Sequence, residues 1–472
     1  MRVLAIDQGT SGTKAVVADD TIRSIAEVPI RPDYRTGGIV EQDPAELLAS
    51  LLTAGRRAID EAGLPIDAVA LTNQGESVLA WDPADGTSLS PIVVWQDGRA
   101  QEVCDPLREH ASFVHERTGL VLDPYFSAPK LAWLRRNGWT DGIVTTTDAW
   151  LLHHLTGEIV TDVATASRSL VTDLDDVSYD PALLELFGLT DERMPRIVDN
   201  DAVIGTTTAF GTRIPVAGAI VDQQAALIAE DCLDAGSAKC TFGTGAFLLA
   251  NNGTAATRSS HGLTVSVGWR VRGTTNYCAD GQVFTAASAI RWLQDVGIVR
   301  DATELDELAS DDAHGVSCIP ALAGLAAPWW RPDATASLRG MTLATTRGDL
   351  VTAVLQGIAV QVAMLVDLVG RDSRTPLSSL RVDGGLTRSA RFMHAVADLA
   401  QVPVTVYPTP HATPLGAVAL ARMALDPALT LPEAIVRWDP ERTILPRWSA
   451  DRAGEFRAQW DAEARRTIEV TA

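Results

Sequence analysis

Three glycine-rich loops that follow predicted strands are the first candidates for chemistry in this sequence. They are Gly9-Thr10, Gly243-Thr244-Gly245 and Asp383-Gly384-Gly385. Glycine has no side chain, so the backbone amides of such loops can approach phosphate oxygens closely. None of the loops has the P-loop pattern or the G-x-G-x-x-G dinucleotide pattern. Together they predict a nucleotide site of another kind, although each alone is also typical of an ordinary turn.

Two aspartates end apolar runs where a carboxylate could act on a phosphoryl group. Asp7 follows the run 3–6 and could hold Mg²⁺ against the phosphates, directly or through water. Asp222 follows the run 215–221 and could accept a hydroxyl proton while the oxygen attacks a γ-phosphate. Lys14 could reach phosphate oxygens as a point charge. The alternatives are a turn-capping Asp7, a helix N-cap at Asp222 and a solvated Lys14.

Three further stretches bring amide, carboxylate and aromatic groups to predicted loops. They are Asn73-Gln74-Gly75-Glu76, Trp95-Gln96-Asp97 and Asp123-Pro124-Tyr125-Phe126. Such groups suit a polyhydroxylated ligand, because amides and carboxylates bind vicinal hydroxyls and aromatic faces cover carbon. Trp95 is equally compatible with a place in the core.

The elements that must position these residues are both strands and helices. Residues 3–6 and 15–18 predict a hairpin, with the first glycine-rich loop at its tip. Residues 44–62 have the apolar spacing of a helix, with Asp43 as its N-cap. A long helix is predicted from residue 347 to 369, and Leu415-Gly416-Ala417 opens a helix of small residues. The mixture indicates an α/β fold.

The second half of the chain opens in the same way as the first. A strand at residues 238–241 leads into Gly243-Thr244-Gly245, and residues 246–250 are again apolar. Two copies of one fold, facing each other across a cleft, explain this weak repeat. Two unrelated hairpin turns are the alternative. The boundary falls near residues 229–236, which predicts domains 1–230 and 231–472.

Composition excludes several classes of partner. The 472 residues include 60 acidic and 39 basic side chains, a formal net charge of −21. This charge argues against nucleic acid or anionic lipid as a partner, while a few local donors can still hold ATP. Five widely spaced cysteines without a C-x-x-C pattern favour a reducing cytoplasm. Asp7 comes too early for a signal peptide, and no apolar run of about 18 residues predicts a membrane span.

Taken together, these stretches resemble the FGGY family of carbohydrate kinases, and most closely its glycerol kinase branch. Residues 125–134 resemble the first family signature, and residues 337–341 with 353–356 resemble the second. The likeness runs nearly from end to end. It implies two actin-like, ribonuclease-H-like domains that flank a central cleft and close on ATP, Mg²⁺ and a small polyol or sugar.

The resemblance also implies roles for single residues. Asp222 matches the catalytic base, and Asp7 matches the carboxylate associated with Mg²⁺. The implied nucleotide- and phosphate-binding residues are Thr10, Ser11, Lys14, Gly243, Thr244, Gly245, Gly384, Gly385 and Gly416. The implied polyol-binding residues are Glu76, Trp95, Tyr125, Asp222, Gln223 and Phe247.

Two departures from the glycerol kinase pattern concern the substrate. Gly75 stands where glycerol kinases have an arginine that contacts glycerol, and Gly98 replaces a second arginine. Losing a charged donor costs roughly 1.5–3 kcal/mol if its hydrogen bonds are not replaced, and it also opens space. We therefore expect either a longer pocket, for a tetritol, pentitol or ketopentose such as xylulose, or glycerol with another group filling the gap.

The resulting hypothesis is ATP-dependent phosphorylation of a terminal hydroxyl of a polyol or sugar. The alternative from another class is a non-catalytic sensor that binds nucleotide and sugar. Since both Asp7 and Asp222 are present, the enzyme is favoured, and ligand-stimulated ADP release distinguishes the two. A homodimer or homotetramer is compatible with this reading.

Overall fold

The first half of the protein is a set of strands and helices that ends with the helix carrying Asp222. The computed structural model describes residues 1–331, 333–373 and 376–471. The strands up to residue 221 are β1 (Val3–Gly9), β2 (Gly12–Ala18), β3 (Ile22–Pro29), β4 (Asp33–Arg35), β5 (Ile39–Gln42), β6 (Ala68–Asn73), β7 (Val78–Trp81), β8 (Ile92–Val93), β9 (Ile143–Thr146), β10 (Val160–Asp162), β11 (Thr172–Asp173), β12 (Ser178–Tyr179), β13 (Arg196–Val198), β14 (Val203–Thr207) and β15 (Ile214–Val221). The helices are α1 (Pro44–Ala62), α2 (Gln101–Cys104), α3 (Ala111–Thr118), α4 (Ser127–Arg136), α5 (Thr147–Thr156), α6 (Val163–Ser167), α7 (Pro181–Phe187) and α8 (Asp222–Ala229), with a 3₁₀ turn at Asp105–His110.

The second half begins with a new hairpin. Its strands are β16 (Ala238–Phe242), β17 (Ala246–Gly253), β18 (Thr264–Val271), β19 (Thr274–Val283), β20 (Ser317–Ile319), β21 (Ser337–Arg339), β22 (Leu380–Asp383), β23 (Val404–Val406) and β24 (Arg442–Ile444). Its helices are α9 (Ala287–Asp295), α10 (Leu305–Leu308), α11 (Arg347–Ser373), α12 (Ala390–Ala400), α13 (Ala412–Leu425), α14 (Leu431–Ala434) and α15 (Ala450–Thr471), with 3₁₀ turns at Ala302–Glu304 and Gly385–Arg388.

The two large sheets share one central arrangement. In the first sheet the order is β3-β2-β1-β6-β15-β14, and β1 is antiparallel to β2 and parallel to β6. In the second the order is β18-β19-β17-β16-β22-β23-β24, and β16 is antiparallel to β17 and parallel to β22. The hairpins β1–β2 and β16–β17 therefore occupy equivalent positions. The predicted repeat and the α/β, two-domain actin-like fold are confirmed.

Local sequence explains the first helix of this framework. The Asp43 side chain accepts a hydrogen bond from the amide of Ala45, and Pro44 occupies the first turn. Gly63 ends the helix with a φ of 60° in the left-handed region. Leu47 and Leu51 face the sheet and are fully buried. The predicted bounds of α1 and its N-cap are confirmed.

Helix α13 comes from the second half of the sequence but packs on the first sheet and on α8. A Cβ at Gly416 would lie 2.0 Å from the carbonyl oxygen of Ala225, so only glycine allows α13 to approach α8 this closely. Gly218 in β15 gives similar room, because a Cβ there would lie 2.8 Å from the amide nitrogen of Ala421. The predicted boundary between residues 230 and 231 stays a prediction.

Helix α11 is long and apolar enough to cross a membrane by length and composition, with a mean hydropathy of 1.8 in its most apolar window. Of that window, 78% is buried inside the protein, as in the core helix of a folded domain. The predicted helix at residues 347–369 is confirmed, and its apolar run is interrupted by Thr352 and Gln356.

Candidate active site

Asp222 lies where three parallel strands end at one edge of the first sheet. The register pairs Asp7 of β1 with Thr72 of β6, and Val221 of β15 with Asn73. The carboxyl ends of parallel strands are where an α/β sheet places its ligands. Because Val221 is the N-cap of α8 and Asp222 is its first residue, Asp222 is not the helix N-cap that was the alternative.

A small cavity of about 20 Å³ adjoins Asp222, and we call it the buried cavity. It is lined by Glu76, Tyr125, Arg168, Val221, Asp222, Gln223, Gln224, Phe247, Leu249, Asp280, Gly281 and Gln282. Desolvation, together with the negative charges of Asp7 and Glu76, raises the pKa of Asp222 to about 7. A carboxylate with such a pKa can exchange a proton near neutral pH, as a general base must.

Glu76 is held in an unusual backbone conformation. It has a φ of 60°, which is rare for a residue other than glycine. The amide of Ser77 donates to the carbonyl oxygen of Gly75 at 2.8 Å and closes a tight turn around Glu76. Its side chain is only 4% exposed. Backbone strain of this kind is often found where a side chain must be aimed at a ligand.

Arg168 brings a guanidinium into the buried cavity. It forms ion pairs with Glu76 and, at 3.0 Å, with Asp280. Burial by itself would lower the pKa of Arg168, but the two carboxylates hold that pKa well above its usual value. Burial raises the pKa of Asp280 despite this pairing. The cavity therefore contains one buried guanidinium whose positive charge is shared by two buried carboxylates, and removing the guanidinium would leave buried charge uncompensated.

Aromatic rings form the wall between the cavity and the outside. The ring of Trp95 packs edge-on against those of Tyr125 and Phe247, at centroid distances of 5.6 and 6.1 Å. Lys130 fixes the loop before α4, because its ammonium donates to the carbonyl oxygens of Pro124, Tyr125 and Phe126 at 2.6–2.8 Å. Trp95 was predicted to be either substrate-binding or core. It lines the open cleft described below, and it also packs against the hydrophobic core between the first sheet and α1.

A cleft of about 950 Å³ adjoins the buried cavity, and we call it the open cleft. Thr10 and Ser11 of the first hairpin and Thr244 and Gly245 of the second line it. Tyr125, Phe247 and Gln282 line both spaces, so the cavity forms an inner extension of the cleft. The structure thus brings the two glycine-rich hairpins to one space, as the internal repeat predicted.

Thr10 connects the first hairpin to the aromatic wall. The Trp95 indole nitrogen donates to the Thr10 hydroxyl at 2.9 Å, and that hydroxyl donates to Oε1 of Gln74 at 3.1 Å. In the second hairpin the carbonyl of Thr244 accepts from the amides of Ala286 and Ser288, which fixes the loop against the start of α9. Both loops are therefore held by the residues behind them.

Three other residues that were predicted to bind phosphate, Lys14, Gly245 and Gly384, lie close to protein atoms. Lys14 donates to the carbonyl oxygen of Pro410 at 3.2 Å and lies 3.4 Å from Glu27. A Cβ at Gly384 would lie 2.4 Å from the carbonyl oxygen of Phe242, and one at Gly245 would lie 2.5 Å from that of Val283.

Two of the predicted glycines have open faces. A Cβ at Gly385 would meet no atom within 4 Å, and one at Gly243 would have its nearest neighbour at 3.9 Å. These two can admit a ligand close to the backbone, whereas Gly245, Gly384 and Gly416 are required by packing.

Asp7 and Gln223 are each held by a neighbouring group. Thr72 donates its hydroxyl to the Asp7 carboxylate at 3.1 Å, while desolvation raises the pKa of Asp7 to about 6. The ammonium of Lys239 donates to Oε1 of Gln223 at 2.6 Å. Lys239 is fully buried, and its positive charge opposes the rise in the pKa of Asp222.

Sequence reasoning missed Arg168, Lys239, Asp280 and Gln282. Each is a polar residue whose neighbours in sequence are small or apolar. A charged residue among such neighbours often marks a buried ion pair or a functional site. Arg168 follows Ala166 and Ser167 at the end of α6, while Asp280 and Gln282 alternate along β19. The ion-pair partners of Arg168 lie 92 and 112 residues away, and Gln223 lies 16 residues from Lys239, so the signal was present but could not be assigned.

A Cβ at Gly75 would lie 2.9 Å from Cγ2 of Val221, so this side chain stands beside the first atom that an arginine would add. That the missing arginine lengthens the acceptor pocket stays a prediction. Gly98, by contrast, lines the open cleft.

Comparison with known proteins now decides the family. The N-terminal domain of the FGGY family of carbohydrate kinases matches residues 2–229, and its C-terminal domain matches residues 238–425. The chain belongs to the FGGY family of carbohydrate kinases. It is a phosphotransferase that uses an alcohol group as acceptor and ATP as donor.

Several named relatives are similar over the whole length. Glycerol kinase from Aromatoleum aromaticum is 38% identical, with 99% of this chain and 98% of that protein covered. A crystal structure of Plasmodium falciparum glycerol kinase with ADP superimposes with a TM-score of 0.92 at 30% identity, covering 99% and 98% of the two chains. Xylulose kinase from Rhodospirillum rubrum has a TM-score of 0.89 at 22% identity, with full coverage of both chains, and shares the fold.

Proposed function

We propose that this FGGY kinase phosphorylates a terminal hydroxyl of glycerol or of a closely related polyol, with Asp222 as the general base. The observation that carries the proposal is Asp222 itself. Its carboxylate adjoins the buried cavity, its pKa is raised to about 7, and the neighbouring open cleft is lined by both hairpins. The names of the relatives at 38–40% identity favour glycerol as the parent substrate.

In this mechanism Asp222 accepts the proton of the terminal hydroxyl, and that oxygen attacks the γ-phosphorus of ATP in line. The bond from the γ-phosphorus to the bridging oxygen breaks, and ADP leaves. Hydroxyl and amide donors of Thr10 and Thr244 stabilise the charge of the transferring phosphoryl group. Glu76 and Gln223 orient the acceptor, while Trp95 and Phe247 cover its carbon chain. Closure of the cleft excludes water, which would otherwise accept the phosphoryl group.

Asp7 fits the role of a Mg²⁺-associated carboxylate. Within the described residues no group of three or more metal-binding side chains was found, but Mg²⁺ bound to a nucleotide commonly uses one or two carboxylates with water and phosphate oxygens. After desolvation, the negative charge of Asp7 is the next cause that raises the pKa of Asp222, and a nearby cation would offset that charge. When bound, Mg²⁺ would neutralise charge on the β- and γ-phosphates.

The finer cellular and structural assignments belong to this proposal too. We infer a cytoplasmic enzyme whose partners are small molecules, not nucleic acid or membrane, with a domain boundary near residue 230. The five cysteines are free and buried, and the net charge is −21, both in keeping with this. We also infer that the protein forms a homodimer or a homotetramer, and light scattering would measure the mass of that assembly.

The experiment is coupled ADP release with Mg·ATP against glycerol, erythritol, threitol, xylitol, ribitol, arabinitol, xylulose and ribulose. We expect release to depend on an added polyol. Release that no alcohol stimulates, with ATP binding intact, would contradict the kinase assignment and favour a non-catalytic sensor.

A further inference from the structure

The buried cavity contains more hydrogen-bond acceptors than the protein satisfies. Oδ1 of Asp280, Oε1 of Gln282 and Oε1 of Gln224 are buried and lack a hydrogen-bond partner. All three residues line the cavity, and each is at most 4% exposed. Buried acceptors without partners are costly, so their occurrence on one small cavity points to a ligand that donates hydrogen bonds there.

The other polar atoms of these side chains are already engaged. Oδ2 of Asp280 accepts from the guanidinium of Arg168 at 3.0 Å and from the amide of Gln282 at 3.0 Å. These two bonds orient the Asp280 carboxylate, and the second also orients the Gln282 amide. Asp280 and Gln282 are therefore preorganised, each with one free acceptor.

We propose that Asp280 and Gln282 form a distal hydroxyl subsite, and that the preferred substrate is an alditol of four or five carbons. This rests on the kinase function proposed above. The buried cavity of about 20 Å³, which Asp222 and Glu76 also line, has room for about one or two water-sized groups, and the adjoining open cleft has room for the rest of a longer acceptor. A ketose carbonyl or an aldonate carboxylate at that position has no hydrogen to donate, and Asp280 and Glu76 would repel the carboxylate.

The first test changes the substrate and leaves the protein intact. Erythritol is compared with butane-1,2,3-triol, which lacks one terminal hydroxyl, in coupled ADP release by the wild-type enzyme. We expect kcat/KM to be about 10- to 100-fold lower for the triol, because the subsite acceptors lose their donor. Equal values for both compounds, or a preference for glycerol or ribulose over every alditol tested, would overturn the proposal.

The second test changes the subsite. Gln282→Met keeps the volume and removes both the free acceptor and the amide donor to Asp280, while Gln361→Met is a matched control at a buried glutamine of α11 that does not line the cavity. For Gln282→Met, kcat/KM should fall at least about tenfold for tetritols and pentitols and stay within about threefold for glycerol. A loss shared equally by glycerol and the longer alditols would contradict the subsite but leave the kinase function standing.

A third variant covers the case in which Gln282→Met does not fold, as judged by thermal unfolding. Asp280→Asn can keep its oxygen towards Arg168 and present an amide donor where the free acceptor was. The same selective loss on longer alditols is expected, and unchanged selectivity would overturn the proposal. If no alcohol is phosphorylated by the wild type, both the subsite and the kinase function fail.

Discussion

The buried cavity and the open cleft meet at the same three residues but are built on different principles. The cavity of about 20 Å³ is lined by charged side chains whose partners are other side chains, such as Arg168 with Glu76 and Asp280. The cleft of about 950 Å³ is lined by hydroxyl residues of both hairpins, by aromatic rings and prolines, and by a few separate charged side chains. A preformed, charged cavity can select one alcohol, whereas an open cleft must close on its ligand to exclude water. The difference suggests that acceptor specificity is built in and that donor binding depends on motion.

The largest effect is expected when the carboxylate of Asp222, which lines the buried cavity, is replaced by a neutral amide. Asp222→Asn keeps the shape but cannot accept a proton, so we expect kcat to fall by about 10²- to 10⁴-fold with ATP affinity nearly unchanged. Steady-state ADP release and isothermal titration with ATP measure the two effects. Asp234→Asn, at an exposed position, is the matched control. Near-wild-type turnover of Asp222→Asn would contradict the assignment of Asp222 as the general base.

The charge network of the cavity should tolerate change poorly. Arg168→Lys keeps the charge but loses the fork that reaches both Glu76 and Asp280, so we expect kcat/KM for the alcohol to fall by about 10- to 100-fold. KM for ATP should change much less, since the cleft lacks this network.

A control for that variant is Arg135→Lys, because Arg135 pairs with Glu192 outside the cavity. It should alter stability without altering activity. Equal activity losses in both variants would indicate a structural role for Arg168.

A pH profile tests whether the cavity carries the titrating base. In the proposed mechanism Asp222 acts only when ionised, and its pKa is raised to about 7. At subsaturating ATP, kcat/KM for the alcohol should therefore fall about tenfold per unit as the pH drops below about 7, and level off above it. Protonation of Asp7, whose pKa is raised to about 6, would steepen the fall at lower pH. A flat profile from pH 5 to 8 would contradict this role of Asp222.

The smallest effect on activity is expected at Trp95, whose ring packs against two residues that line both the buried cavity and the open cleft. Trp95→Phe keeps an aromatic wall but removes the indole donor to Thr10, a bond of 2.9 Å. Loss of one such bond is worth about 0.5–1.5 kcal/mol, so kcat/KM for ATP should fall about two- to tenfold. Trp139→Phe, outside both spaces, serves as the control. An effect limited to the alcohol would show that Trp95 belongs to the cavity alone.

Much of the framework could be predicted from short segments of sequence. The bounds of α1 follow from the spacing of Leu47 and Leu51, the cap at Asp43 and the terminating Gly63, all within one local stretch. The hairpin β1–β2 and its counterpart β16–β17 follow from apolar runs on either side of glycine. Ordered motifs along the chain then identified the family.

The sequence alone could determine the family, the class of reaction and the carboxylate of Asp222 as the candidate base. All three depend on motifs of neighbouring residues. The tertiary structure alone decided which groups compensate each other. Arg168 meets Glu76 and Asp280 across 92 and 112 residues, and Cγ2 of Val221 comes to 2.9 Å from where a Cβ at Gly75 would stand. The physical reason is that burial of a charge or a void is a property of packing between distant segments, which no local pattern encodes.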